Sequence, residues 1–163
     1  MKAIQIGVMS AFLLMPIAAG AATNFGSPVA AGGWSAMQPS DASSIGFTML
    51  NSIYNTDTVN AHGVRASLFL GSTPGGAGNY VVRVMGKNNG LTLTCYVYAT
   101  DVITGVVTAG SANTSVNGIY LLPITFSTSS GNYQAINVGC FLPRVNGGVY
   151  SFLWGADTLY GPL

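Results

Sequence analysis

Short apolar runs recur along this chain about every ten residues, each closed by a cluster of Gly, Asn or Ser, and no apolar stripe repeats at helical spacing. A chain punctuated in this way can bury its apolar side chains only by stacking strands. The runs predict strands over residues 45–54, 64–70, 80–87, 91–99, 102–107, 119–126, 134–142 and 148–154. The joins carry turn chemistry: Gly75-Gly76-Ala77-Gly78, Asn88-Asn89-Gly90, Ser129-Ser130-Gly131-Asn132 and Asn146-Gly147-Gly148. Asn89-Gly90 predicts a hairpin, because both residues tolerate positive φ. The fold class expected is all-β: one antiparallel β-sandwich, Ig-like or jelly-roll-like.

The start of the chain reads differently. Met1-Lys2 is followed by an apolar run to Ile17 and then Ala18-Ala19-Gly20-Ala21-Ala22. A positive start, a short apolar stretch and a small-residue cleavage site predict a secretory signal peptide over residues 1–21. Residues 22–44 follow as a flexible or extended segment with Trp34, Pro28 and Pro39, and residues 45–163 as the sandwich domain. Roughly 140 residues then remain, enough for one domain with a sizeable core. No later stretch is long and apolar enough for a spanning helix.

Charge is scarce throughout. The chain has five basic and four acidic side chains, one histidine and no Glu. Setting Lys2 aside with the leader leaves four of each sign and a net charge of zero. That balance removes any electrostatic pull toward nucleic acid and weakens repulsion between copies. It also thins the supply of catalytic and metal-binding groups, so no enzyme activity, cofactor or metal is expected. His62 alone cannot build a multi-histidine site, and no G-x-S-x-G elbow accompanies it. It reads as a loop residue before Gly63. The four Asp residues fall at predicted turns or ends rather than in a catalytic pair. Asn55, Asp57 and Asn60 offer clustered oxygens, but one carboxylate makes a poor calcium site.

Two cysteines, Cys95 and Cys140, predict one disulfide in an exported chain. Strand alternation supports the pairing: Leu93, Cys95 and Val97 share one face, as do Ile136, Val138, Cys140 and Leu142. The opposite faces lack the Lys and Glu of an ordinary solvated surface. They carry Tyr96 and Tyr98, Phe141, Arg65, Arg83, and Tyr150, Phe152 and Trp154. Tyr96, Tyr98 and Trp154 could form one flat platform for sugar rings. Arg65 and Arg83 are expected as neighbours beside Phe69 and Met85, placed to grip a carboxylate or stack on a ring.

Two stretches are familiar: Leu91-Thr-Leu-Thr-Cys95-Tyr-Val-Tyr-Ala-Thr-Asp-Val-Ile-Thr-Gly105-Val-Val and Gly131-Asn-Tyr-Gln-Ala-Ile-Asn-Val-Gly-Cys140-Phe-Leu-Pro143. A Cys-bearing strand followed by a hairpin, then a strand ending Cys-x-Leu-Pro, resembles short exported two-Cys proteins of Gram-negative bacteria, mostly of unassigned function. The resemblance covers about residues 64–154. It implies secretion, a β-sandwich and a Cys95–Cys140 bridge, and it brings no catalytic residues.

The expected function is therefore a non-enzymatic structural or interaction module, exported to the periplasm or cell surface and able to self-assemble. Its partner would be a protein, a further copy included, or a surface polysaccharide. Two alternatives stand beside it: a carbohydrate-binding module using the surface aromatics, and a small eight-stranded outer-membrane barrel.

Overall fold

The computed structural model describes residues 23–24, 29–30, 33–48, 52–69, 78–128 and 134–160. The predicted signal peptide and the turns at residues 75–77 and 129–132 lie outside them. Twelve strands are described. They are β1 (Thr23–Asn24), β2 (Val29–Ala30), β3 (Ser35–Ala36), β4 (Ile45–Phe47), β5 (Ile53–Asn55), β6 (His62–Phe69), β7 (Gly78–Asn89), β8 (Leu93–Asp101), β9 (Val107–Thr114), β10 (Asn117–Thr128), β11 (Gln134–Leu142) and β12 (Phe152–Tyr160). A 3-10 helix, Pro39–Ser44, joins β3 to β4.

The strands form two antiparallel sheets packed as a sandwich that is not closed. One sheet runs β10-β7-β12-β5-β4, with β1 and β2 pairing farther along β12. The other runs β3-β6-β11-β8-β9. The core lies between them. It takes Val82, Val84, Tyr120, Leu122, Ile124 and Phe126 from the first sheet and Val64, Leu68, Leu93, Val97, Ile136, Val138 and Leu142 from the second. Alternation along β6, β7, β8, β10 and β11, strict in β10, puts these residues inward, and burying each stabilises the fold by about 1.5–3 kcal/mol relative to exposure. The barrel held as an alternative is not the architecture described: two open sheets enclose an apolar interior, where a membrane barrel would be one closed sheet with its apolar band outside.

The predicted disulfide is present, joining Cys95 and Cys140. The two residues are direct partners in the β8–β11 ladder, 4.1 Å apart at Cα, and both side chains are buried in the core. The close approach marks a non-hydrogen-bonded pair. The bridge therefore ties neighbours within one sheet.

Several elements differ from expectation. The single strand predicted over residues 45–54 is two antiparallel strands, β4 and β5. The strand predicted over residues 102–107 is mostly a turn. Asp101 Oδ1 accepts the N–H groups of Ile103 and Thr104, Gly105 takes φ +72°, and the paired strand β9 starts only at Val107. The last strand begins at Phe152 and runs on to Tyr160.

Asn89-Gly90 does not make a hairpin, since β7 and β8 belong to different sheets. It is a corner held by buried amides. Asn89 Nδ2 donates to Arg144 O and Val149 O, and Asn88 Nδ2 donates to Leu91 O. Trp34 is a core residue, 3% exposed, and β3 beside it edges the second sheet against β6.

Candidate functional site

The register fixes which outward residues are neighbours. On the second sheet one outer row runs Arg65 (β6), Gly139 (β11), Tyr96 (β8) and Ser111 (β9); the next runs Ser67, Asn137, Tyr98 and Ala109. Phe141 lies in the row beyond, opposite Thr94 and Gly63. Tyr96 and Phe141 meet edge to face, with ring centroids 6.1 Å apart. Met37 covers the two glycines of this face. A Cβ at Gly139 would come within 2.7 Å of Met37 Cε, and one at Gly63 within 2.9 Å of Met37 Cβ. Tyr98 stays 48% exposed and Phe141 43%.

Beside Arg65 lies a depression of about 350 Å³, lined by Gly33, Ser35, Arg65, Ala66, Ser67 and Asn137. Two of these lining residues are bonded to each other, Ser67 Oγ donating to Asn137 Oδ1 at 2.9 Å.

The outer face of the first sheet is more apolar. Strand β10 points Ile119, Leu121, Pro123 and Thr125 outward, paired with Lys87, Met85, Arg83 and Val81 of β7. Ile119 is 73% exposed and Leu121 54%. Across β7, Phe152 packs with Tyr54 and Tyr150 at centroid distances of 5.5 and 6.2 Å. Trp154 stands exposed where the β12 register slips against β7, between Leu153 and Gly155. Arg83 and Asp157, cross-strand partners, form a two-pronged ion pair: Nε to Oδ1 at 2.9 Å and Nη2 to Oδ2. The pair cancels its own charge within this face.

The structure therefore separates residues that the sequence grouped. Tyr96 and Tyr98 lie on one sheet and Trp154 on the other, so the three-aromatic platform is not assembled. Arg65 and Arg83 likewise stand on different sheets, and Arg83 has Asp157 for a partner. Alternation shows side within a strand, but it does not show to which sheet the strand belongs. The exposure of Ile119 and Leu121 was missed, although strict alternation through Ile124 and Phe126 marks them as outward.

His62 is not a loop residue. It opens β6 and sits between two carboxylates, Nδ1 to Asp41 Oδ1 and Nε2 to Asp57 Oδ2, both at 2.9 Å. Its bond to Asp57, and then that to Asp41, raises its pKa above the ordinary value against the opposing effect of burial. The same His62 bond, with the N–H groups of Val59 and Asn60, holds Asp57 below the usual carboxylate range. Both ring nitrogens are occupied, so this histidine has none left to activate a serine.

The Asn55-Asp57-Asn60 group is likewise internal. Asn55 is buried, and its oxygen and the Asp57 carboxylate are taken by backbone N–H groups of the same loop. Among the described residues no three His, Cys, Asp or Glu side chains are arranged to hold a metal ion.

Comparison with known proteins adds no family to this picture. No protein-family model matches the chain, and no curated protein matches it. What stands of the resemblance is a two-sheet antiparallel sandwich with one disulfide.

Proposed function

We propose that this chain is a non-enzymatic, exported structural module that self-associates through the outer face of the sheet containing β10, β7 and β12. One observation carries the reading. That face sets Ile119, Leu121 and Pro123 outward on β10, next to Met85, with Arg83 neutralised in place by Asp157 and Lys87 beside Ile119 as the remaining cation. Contiguous apolar surface of this kind is covered in working proteins, and a near-neutral chain offers little repulsion to oppose coverage by a copy.

Association is by faces rather than by edges. Pro123 in the sheet-edge strand β10 has no N–H to offer an incoming strand. The disulfide supports an oxidising, extracytoplasmic compartment, in keeping with the leader-like start. The strand order, β10-β7-β12-β5 over β6-β11-β8-β9, reads as jelly-roll wiring, a frame used by capsid and lectin domains alike. The wiring alone chooses no function.

Sedimentation velocity over a range of concentrations tests the reading. The chain is expected to populate dimers or larger species, and Leu121→Lys with Ile119→Lys to return it to monomer with the fold intact by circular dichroism. A wild-type chain that stays monomeric at the highest concentration reached ends the self-association reading.

A further inference from the structure

Among the described residues Arg65, Lys87 and Arg144 have no carboxylate partner, and of these Arg65 borders a surface depression. The sequence has four Asp and no Glu. All four are engaged. Asp41 and Asp57 hold His62, Asp157 holds Arg83, and Asp101 caps its own turn. Arg65 is exposed and has no hydrogen-bond or ion-pair partner among the described residues. All four Asp side chains being engaged, a second copy offers Arg65 no free side-chain carboxylate, and a ligand carrying its own carboxylate would fill that place.

The surroundings narrow the class of that molecule. Arg65 and the hydrogen-bonded Ser67–Asn137 pair line the same depression. With its oxygen taken by Ser67, the Asn137 amide keeps its N–H donors, and the Ser67 oxygen keeps its lone pairs. Tyr98 continues the same row on the next strand, about 10 Å from Ser67 at ordinary strand spacing, and presents an exposed ring. One planar guanidinium matches a carboxylate through two parallel hydrogen bonds, whereas a phosphate dianion calls for more positive charge than this face holds. Small uncharged donors and acceptors beside a flat aromatic suit a sugar's hydroxyl groups and ring face better than the side chains of a peptide.

We propose that this face binds a uronic-acid residue of an acidic polysaccharide. Arg65 takes the carboxylate, Asn137 and Ser67 take ring hydroxyls, and Tyr98 lies against the sugar. The site is on the sheet opposite the self-association face and does not depend on it.

Binding of alginate, polygalacturonate and hyaluronan fragments by calorimetry at physiological salt tests the proposal, with methyl-esterified polygalacturonate as the uncharged control. At least one of the three uronates is expected to bind. Arg65→Ala should weaken that binding about ten- to a hundredfold, as expected for loss of a charge-assisted pair, with Arg65→Lys in between. Tyr98→Ala should weaken it separately, with the melting temperature of each variant unchanged. The proposal is overturned if none of the three binds, if the ester binds as well as the acid, or if Arg65→Ala binds like wild type. It is also overturned if short peptides with free C-terminal carboxylates bind more tightly than every uronate. Self-association, read by sedimentation, can fail without altering any of these outcomes.

Discussion

His62 bonds a carboxylate through each ring nitrogen, and since carboxylates only accept, it must carry both protons to keep both bonds. The clamp draws the 3-10 helix and the loop after β5 onto the start of β6; Arg144 adds a bond to Thr58 O in the same loop. A histidine pKa raised by folding gives stability that is complete below its unfolded value near 6.5. That stability is lost as pH rises through the raised value. The depressed Asp57 pKa works the other way, giving stability above 3.8 that is lost as pH falls through the lowered value. Melting temperature should therefore be highest between about pH 4 and 6.5. His62→Gln should flatten the alkaline decline and destabilise by about 1–3 kcal/mol at pH 5.5, read by denaturant titration. The Asp41 half of the clamp was not legible locally, because Asp41 lies 21 residues before His62 and meets it only once the 3-10 helix has folded across β6.

At the scale of strands, clean alternation made elements legible. The predicted strand over residues 134–142 is observed with the same ends, as β11, because Ile136, Val138, Cys140 and Leu142 recur at every second position, with Ala135, Asn137, Gly139 and Phe141 between them. The inward facing of Cys95 and Cys140 was legible for the same reason. Strand β9 was not, since Val107–Thr114 is small and polar, and the aliphatic run before it drew the strand too early. The turn was nevertheless written in Asp101 and Gly105.

Gly110 shows why β9 must be so small. A Cβ there would lie 2.3 Å from Thr125 O of β10, so the two strands, one from each sheet, close that side of the sandwich backbone against backbone. Gly110→Ala is expected to cost about 1–3 kcal/mol by prying them apart, measured as a lowered denaturation midpoint with unchanged slope. The Asn89-Gly90 corner carries the same lesson in reverse. The dipeptide marks a turn, but which sheet receives the next strand is decided by long-range bonds from Asn89 to residues 144 and 149.

Across the whole molecule, the Cys95–Cys140 bridge closes a loop with a sequence separation of 45. Chain-entropy reasoning gives it about 4 kcal/mol, acting mainly by restricting the unfolded chain. The double variant Cys95→Ala with Cys140→Ala should unfold at markedly lower denaturant than wild type, and reductant should shift the wild type toward it.

The sheet order also sets a schedule. Strand β11 lies between β6 and β8, and β12 between β7 and β5, so the last two described strands in chain order are interior members of the two sheets. Neither sheet can be completed before these strands have been made, because each waits with a gap for one of them. A nascent chain wired like this remains threadable until β11 and β12 have emerged. It can pass through a narrow channel as an extended polymer and assume its shape on the far side, where its single cross-link can also form.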